Sequence, residues 1–284
     1  MFNLFSPAKL NLSLEVNGLL DNGFHTLTSI MHTLDLHDEI SINYSKNTKT
    51  LFQPSTVEAS NNSILDAVNL FQQEFDINDA MEIVTTKNIP TSSGLGGGSS
   101  NSTAVLKELI KINKLEVEIS KQRELAFNLS SDSPFFVSGG CSLVQGQGEK
   151  ITTGLGINNL WSIIFTPLNI EISNKTRFMY SLLSKQHYSD GSITTDIFNS
   201  INQSNLDNLQ ALSNTVNTFE QVIDQAFFEY KYLKDKLLSL GVSFVRLSGS
   251  GPSFYTIVDN LEQASIIAKK MESNNLRIIT SELQ

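Results

Sequence analysis

The sequence predicts an α+β protein of two domains, and three observations support that class. The first half contains a strand, a glycine-rich loop at 89–101 and then an amphipathic helix. The second half, from residue 161 onward, has the order β-α-β-β-α-β once extra helices are set aside, which is the order of a split ferredoxin-like domain. The length of 284 residues, with 40% hydrophobic and 17% charged residues, suits a globular protein with room for two domains.

A boundary between the two domains is expected near residues 152–159. This segment holds two glycines and two asparagines and shows no apolar period. We therefore predict domains of residues 1–154 and 155–284.

The charge and the cysteine count limit the class of protein. A formal net charge of −9 argues against a general nucleic-acid or anionic-membrane surface, although an anionic substrate remains compatible with a local cluster of lysines. One cysteine, Cys141, allows no intramolecular disulfide, and we expect it to be a small packed side chain. With no signal peptide or membrane-length apolar run visible, a cytoplasmic protein is expected.

The first predicted strand brings two polar side chains together. Apolar residues alternate with polar ones over 10–16, which places Lys9 and Asn11 side by side on the polar face. Taken alone, Lys9 is typical of a solvated lysine at a strand start.

A turn follows at 21–23, where the sequence is Asp-Asn-Gly. Phe24 and His25 come directly after it, and strands are expected at 27–36 and 39–44. The histidines of this region lack the spacing of a zinc site, so a structural or catalytic zinc is not expected.

Further elements surround the glycine-rich loop. Residues 46–60 are polar and typical of a loop, and Asn62 or Ser63 can cap a helix. A strand is expected at 81–86, and a helix after the loop is followed by another at about 120–129.

The loop at 89–101 concentrates four of the sixteen glycines within five positions. Glycines let backbone N–H groups approach an anion, and the start of the following helix adds unpaired donors and a positive dipole end. The loop is neither a Walker A sequence, because no lysine follows the glycines, nor a dinucleotide fingerprint, because Ser99 and Asn101 replace the required glycines. A flexible linker is the alternative, but the ordered flanks favour a phosphate-binding loop.

Two other features each leave two interpretations open. Asp132, shortly before Pro134 and two phenylalanines, is either a turn or cap residue or a functional carboxylate against an apolar wall. The second glycine-rich loop, 247–252, is explained by a hairpin turn, and a ligand-facing role is the alternative.

Three separated motifs resemble those of the GHMP kinases. They are Ser6–Leu12, Pro90–Ser100 and Leu247–Pro252, and their order and spacing fit across almost the whole chain. The resemblance implies an N-terminal domain like the second domain of ribosomal protein S5 and a C-terminal ferredoxin-like domain. It also implies ATP as phosphate donor, with Mg²⁺ bridging the phosphates. Four segments resemble members that phosphorylate the 2-hydroxyl of a cytidine-diphosphate-linked polyol in isoprenoid precursor synthesis: Pro7–Leu12, Gly23–Leu27, Gly94–Asn101 and Asp132–Phe136.

The resemblance also assigns roles to individual residues. It implies Asp132 as the base that takes the proton of the substrate hydroxyl, with Lys9 as a fixed cation. It implies that ATP contacts one lysine and the residues of the loop: Lys87, Pro90, Thr91, Ser92, Ser93, Gly94, Leu95, Gly96, Gly97, Gly98, Ser99 and Ser100. It implies that the substrate contacts a second set: Asn11, Phe24, His25, Phe178, Gly249, Ser250 and Gly251. Phe24 and Phe178 would stack on the cytosine, but Met179 and Tyr180 compete with Phe178 for a helix-core role. Protein ligands to the metal are not assigned.

The chain departs modestly from the pattern. Ser92-Ser93 stand where relatives usually have Gly-Ala or Ala-Ala, and Ser102-Thr103 stand where two alanines often follow. Phe24 replaces the tyrosine of many relatives, which preserves stacking and removes a phenolic hydrogen bond.

Other functions stay open at this point. Another GHMP kinase, for homoserine, galactose or a mevalonate-type substrate, would share the phosphate loop, and a non-catalytic nucleotide-binding relative would share the fold. We expect a small-molecule substrate, no nucleic-acid or membrane partner, and a monomer or weak homodimer.

Overall fold

A computed structural model describes residues 1–54, 62–168, 174–203 and 208–284. The chain divides into two compact units, each built from several segments. Unit 1 consists of Met1–Ala8, Leu36–Thr91 and Gly96–Gly139, and unit 2 consists of Lys9–Asp35, Ser92–Leu95 and Gly140–Gln284. The domain boundary expected after residue 154 stays a prediction.

The elements of the described residues follow a mixed order. The strands are β1 (Phe2–Leu19), β2 (His25–Tyr44), β3 (Lys49–Gln53), β4 (Met81–Thr86), β5 (Cys141–Gly146), β6 (Lys150–Thr153), β7 (Trp161–Pro167), β8 (Arg246–Leu247), β9 (Phe254–Val258) and β10 (Leu276–Glu282). The α-helices are α1 (Ser63–Phe75), α2 (Gly97–Ile112), α3 (Ile119–Phe127), α4 (Ser133–Ser138), α5 (Lys175–Ser181), α6 (Ser192–Ile201), α7 (Asn208–Ser213), α8 (Tyr230–Ser239) and α9 (Leu261–Met271). Short 3₁₀ helices occupy Lys185–His187, Thr218–Gln221 and Ile223–Gln225.

The two long strands β1 and β2 form a hairpin and contribute residues to both units. Its turn is the one predicted at 21–23. The Gly23 N–H donates to Leu20 O at 2.9 Å, and Gly23 has a φ of 82°, in the left-handed region that favours glycine.

The structure corrects the prediction of separate strands at 27–36 and 39–44, because β2 is continuous. The polar pair His37-Asp38 lies between the two predicted segments. Asp38 is fully buried and is compensated by an ion pair with Lys87, so it does not interrupt the strand.

Unit 1 combines a sheet with α1 to α4. Strand β3 pairs in parallel with β4, and β4 pairs in antiparallel register with residues 39–44 of β2. The N-cap of α1 is Asn62, whose side chain accepts the N–H of Leu65 at 3.2 Å, as the sequence predicts. The described core of this unit joins the sheet to the helices through buried apolar residues that include Ile40, Ile42, Phe71, Met81, Leu106 and Leu109.

Unit 2 contains an antiparallel sheet with the strand order β10-β7-β9-β8. This is the order produced by a β-α-β-β-α-β chain, so the predicted ferredoxin-like topology is confirmed. Apolar side chains from this sheet, from β1 and from α8 and α9 form one core, which includes Val16, Phe165, Phe219, Leu237, Phe254 and Ile267. Residues 27–32 of β2 pair with β5, and β5 pairs with β6.

Candidate active site

Lys9 and Asn11 lie together, as the alternation of β1 predicts, but they are buried. Each is 2% exposed. The Lys9 ammonium donates to Asn11 Oδ1, and Asn11 Nδ2 donates to Ser29 Oγ at 2.9 Å. Because a buried ammonium costs free energy unless it is compensated, the solvated-lysine interpretation of Lys9 is wrong.

The second glycine-rich loop approaches this pair within unit 2. A β-carbon added to Gly249 would lie 3.3 Å from Asn11 Oδ1 and 3.8 Å from Lys9 Nζ. Asn217 Nδ2 holds the loop by donating to Leu247 O at 3.0 Å and to Gly249 O at 2.9 Å. The backbone of this loop therefore lies beside the buried lysine, and a ligand-facing role of the loop stays a prediction.

Part of the first glycine-rich loop lies against the second. Gly94 has a φ of 86°, and a β-carbon there would lie 2.4 Å from Ser248 O and 2.9 Å from Gly251 O. Ser248 Oγ donates to Gly94 O at 3.0 Å, and the Lys9 N–H donates to Leu95 O at 3.0 Å. Unit 2 thus brings together Lys9 and backbone from both glycine-rich loops.

A lysine that the sequence analysis missed also contacts both loops. Lys175, the first residue of α5, donates through Nζ to Ser92 O at 3.2 Å and to Gly251 O. The sequence around it carries no motif. The charge balance gives only a general signal that does not single out Lys175: a chain with 20 lysines and arginines against 29 acidic residues must concentrate positive charge locally to bind an anion.

The remaining part of the first loop forms the start of α2 in unit 1. Gly96 occupies the N-cap position with a φ of 72°, and the helix begins at Gly97. Helical periodicity was visible only from Val105, because the first two turns consist of glycine and small polar residues. The first N–H groups of a helix lack intrahelical partners, so this end suits an anion.

Lys87, which the resemblance assigns to ATP binding, follows β4 and has a largely buried side chain. Its side chain is 8% exposed and forms an ion pair with Asp38. Asp38 Oδ1 also accepts the N–H groups of Asn88 and Ile89, both at 2.8 Å. A β-carbon on Gly97 would lie 3.2 Å from Lys87 Nζ, so the ion pair lies next to the start of α2.

Asp132 occupies the N-cap position of α4, and residues 133–137 that follow it are buried. Both interpretations of this aspartate therefore have a structural basis in unit 1. The neighbouring hydroxyls form a short chain, in which Ser130 Oγ donates to Ser99 Oγ at 2.7 Å and lies 2.7 Å from Ser133 Oγ. These hydrogen-bonded serine hydroxyls connect the segment that contains Asp132 to the first turn of α2.

The aromatic candidates differ in exposure. Phe24 is 60% exposed directly after the hairpin turn, and Phe178 on α5 is 37% exposed. Met179 is fully buried in the core of unit 2, and Tyr180 packs against that core. The helix-core role thus belongs to Met179 and Tyr180, which leaves the ring of Phe178 accessible to a ligand.

His25 has two aromatic partners that the sequence analysis did not connect with it. Its Nε2 lies 3.0 Å from the hydroxyl of Tyr188, and its ring centroid is 4.7 Å from that of Tyr180 at an interplanar angle of 32°. Partial burial lowers the pKa of His25, which favours the neutral imidazole.

In the described part of the chain, no group of three or more His, Cys, Asp or Glu side chains is arranged to hold a metal ion. None of the helices described is both long and apolar enough to cross a membrane. Burial raises the pKa of the Cys141 thiol to about 12, which agrees with a packed side chain rather than a nucleophile.

Two family models match the chain. The model of the GHMP kinases N terminal domain matches residues 62–140, and that of the GHMP kinases C terminal domain matches residues 198–277. The fold is that of a GHMP kinase, a class that uses ATP as phosphate donor.

Individual relatives narrow the class. A 4-diphosphocytidyl-2-C-methyl-D-erythritol kinase of Dehalococcoides mccartyi (strain CBDB1) is 32% identical over 267 residues, covering 94% of this chain and 93% of the relative. A protein of the same name from Clostridium botulinum (strain Okra / Type B1) is 31% identical over 267 residues, covering 93% and 94%. The chain belongs to the 4-diphosphocytidyl-2-C-methyl-D-erythritol kinase family. A crystal structure of 4-(cytidine 5'-diphospho)-2C-methyl-D-erythritol kinase shares the fold, with a TM-score of 0.80, 24% identity and 99% coverage of both chains.

Proposed function

We propose that the chain transfers the γ-phosphate of ATP to the 2-hydroxyl of 4-diphosphocytidyl-2-C-methyl-D-erythritol, in the non-mevalonate (methylerythritol phosphate) route to isoprenoid precursors. The observation that carries the proposal is the buried Lys9–Asn11 pair beside Gly94 and Gly249, in a chain whose relatives bear that name. We interpret the buried Lys9 ammonium, which lies beside two glycine-rich loops, as a binding group for a small anionic substrate rather than as a structural residue.

The chemistry assigned to the chain is an in-line displacement. The substrate 2-hydroxyl is a poor nucleophile, and Asp132 accepts its proton as the oxygen attacks the γ-phosphorus. The bond between this phosphorus and the β,γ-bridging oxygen breaks, and ADP leaves. Lys9 supplies a fixed positive charge that orients the substrate, so most of the rate gain comes from positioning and charge neutralisation.

The loop 90–100 and the start of α2 bind the ATP phosphates in this proposal. Backbone N–H groups there are suited to phosphate oxygens, and small side chains allow close approach. Lys87 lies beside this helix start, where its charge is balanced by Asp38. Its contribution is therefore mainly to hold the loop.

Mg²⁺ is proposed as the metal that accompanies ATP. The hydroxyl chain of Ser99, Ser130 and Ser133 offers the hard oxygen donors that this ion prefers, and Ser99 lies in the first turn of α2. Mg²⁺ commonly keeps waters and binds substrate phosphates in place of a full protein cage, which fits the lack of a carboxylate cluster among the described residues. When bound, it neutralises charge on the phosphates.

Recognition of the cytidylyl group is assigned to the aromatic residues of unit 2. The exposed rings of Phe24 and Phe178 stack on the base, and His25 bonds its polar edge. Asn11 and the loop residues Gly249, Ser250 and Gly251 contact the remainder of the substrate. We also propose that the chain works in the cytoplasm as a monomer or weak homodimer.

The proposal is tested by measuring ADP release with several acceptors. We expect release with 4-diphosphocytidyl-2-C-methyl-D-erythritol and none with homoserine, galactose or mevalonate. Preference for one of these three would move the chain to another GHMP kinase activity. ATP binding without transfer to any acceptor would favour a non-catalytic relative.

The catalytic assignment is tested with Asp132→Asn and Lys9→Ala. We expect each to lower kcat by about 10²–10⁴-fold, because the first removes the base and the second removes the fixed cation. Lys121→Ala, at an exposed surface pair, serves as the control. Near wild-type turnover by either folded variant would contradict the assignment.

A further inference from the structure

The hydrogen bond between Tyr188 and His25 has no part in the chemistry described above. We propose that Tyr188 is a positioning residue for base recognition, whose hydroxyl fixes the tautomer and orientation of His25 so that Nδ1–H faces an acceptor on the nucleobase edge. The inference rests on the proposed function, because it gives His25 a nucleobase to recognise.

The plane of the His25 ring is held from a second direction. The Tyr180 ring lies 4.7 Å from it, tilted by 32°. Tyr180 in turn meets Phe219 edge-on at 4.9 Å and 88°, and Phe219 is 1% exposed within the core of unit 2. Tyr188 approaches the imidazole from its edge, with centroids 5.7 Å apart at 74°. Tyr180 therefore restrains the plane of the His25 ring, and Tyr188 restrains rotation of the ring within that plane.

Tyr188 is itself held in place through the next residue. The Ser189 N–H donates to Val16 O at 3.1 Å, and Ser189 O accepts from Asn17 Nδ2 at 3.1 Å. Asn17 Oδ1 accepts from Thr28 Oγ1 at 3.0 Å, which fixes the orientation of the amide. The backbone beside Tyr188 is thus bound to the β1–β2 hairpin that also carries His25.

A glycine keeps this segment close to the hairpin. Gly191 has a φ of 80°, and a β-carbon there would lie 2.4 Å from Thr28 Oγ1. Another residue at this position would push the segment away from β2.

In this proposal the Tyr188 hydroxyl is the donor in its bond with His25, and this role sets which ring nitrogen carries the proton. A phenolic O–H is a good donor, and a neutral imidazole has one donor and one acceptor nitrogen. When Tyr188 donates to Nε2, the proton of His25 resides on Nδ1, and Nδ1–H becomes the donor. A cytosine edge offers a carbonyl oxygen and a ring nitrogen as acceptors, so this tautomer is complementary to it.

The kinetic test uses Tyr188→Phe, which keeps the ring and removes the hydroxyl. We expect the KM for 4-diphosphocytidyl-2-C-methyl-D-erythritol to rise roughly five- to tenfold, the effect of one hydrogen bond, with the ATP KM and kcat nearly unchanged. Tyr232→Phe is the matched control, because Tyr232 is 68% exposed in the same unit. An unchanged substrate KM, or an equal rise in the ATP KM, would overturn the proposal.

A spectroscopic test is independent of activity. Long-range ¹H–¹⁵N NMR of the imidazoles should show His25 as the Nδ1–H tautomer in the wild type and a shift toward Nε2–H in Tyr188→Phe, with His25→Gln assigning the signal. An Nε2–H tautomer in the wild type, or an unchanged tautomer in the variant, would overturn the positioning role. Lack of phosphoryl transfer by the wild type would overturn the proposed function instead, so the two failures are distinguishable.

Discussion

At the scale of single residues, two independent features of the structure require glycine at position 94. Its backbone has a positive φ, and carbonyl oxygens of the second loop occupy the space where a side chain would start. The sequence indicated a glycine needed for phosphate, whereas within unit 2 the immediate requirement comes from contact with Ser248 and Gly251.

Gly94→Ala should therefore separate the two loops. We expect a loss of about 1–3 kcal/mol in the free energy of unfolding and a higher ATP KM, because the new methyl group overlaps Ser248 O. Gly241→Ala is the matched control, since Gly241 has a φ of 88° with no atom within 4 Å of the added β-carbon. Urea unfolding of both variants gives the comparison, and equal losses would show that backbone strain alone matters.

At the scale of elements, the Asp38–Lys87 pair connects β2 with the residues after β4. One carboxylate binds a lysine side chain and two backbone N–H groups, all within unit 1. Removing one member of a buried pair leaves the other charge without compensation, which costs far more than breaking an exposed pair.

Asp38→Ala should accordingly lower the free energy of unfolding by about 3–5 kcal/mol. Lys121→Ala, which breaks the surface ion pairs of a 40% exposed lysine with Glu74 and Glu124, should cost no more than about 1 kcal/mol. The double variant Asp38→Ala/Lys87→Met should recover much of the loss, because no buried charge remains. Chemical denaturation measures all three, and a loss below about 1 kcal/mol in Asp38→Ala would contradict the role of the pair.

At the scale of the whole molecule, a buried histidine makes stability depend on pH. His32 is fully buried, its Nε2 accepts the Ile157 N–H at 3.0 Å, and its Nδ1 lies 2.8 Å from Thr33 O. Burial lowers its pKa from 6.5 to about 4, so the folded protein keeps this imidazole neutral.

Stability should therefore fall in acid. Below the unfolded pKa of 6.5 only the unfolded chain takes up this proton, so the free energy of unfolding decreases as pH falls from 6.5 toward about 4. The neutral, buried His32 contributes on the order of 3 kcal/mol to the free energy of unfolding. This contribution is present in full above pH 6.5 and is lost as the pH falls toward about 4. Urea unfolding at about pH 7 and about pH 4.5 measures it. His32→Gln should reduce the pH dependence and His187→Gln should preserve it; an unchanged dependence in His32→Gln would contradict this origin.

Local patterns in the sequence were sufficient for the fold class and the motifs, because strand alternation, turn residues and glycine-rich loops are encoded by neighbours. Contacts over long distances along the chain were not visible. Tyr188 contacts His25, 163 residues earlier, and Lys175 contacts one loop 83 residues earlier and another 76 residues later. In the second half of the chain, β8 covers only Arg246 and Leu247, because Val242 and Val245 before it are buried in the core without ladder pairing.

The division of the chain into units has a consequence for how such a protein can evolve. The chain passes from one unit to the other after residues 8, 35, 91, 95 and 139. Exchange of one unit between genes would need a junction at every one of these positions, and a single recombination event supplies one. The family matches at 62–140 and 198–277 are therefore not portable modules, because each omits strands that its unit requires.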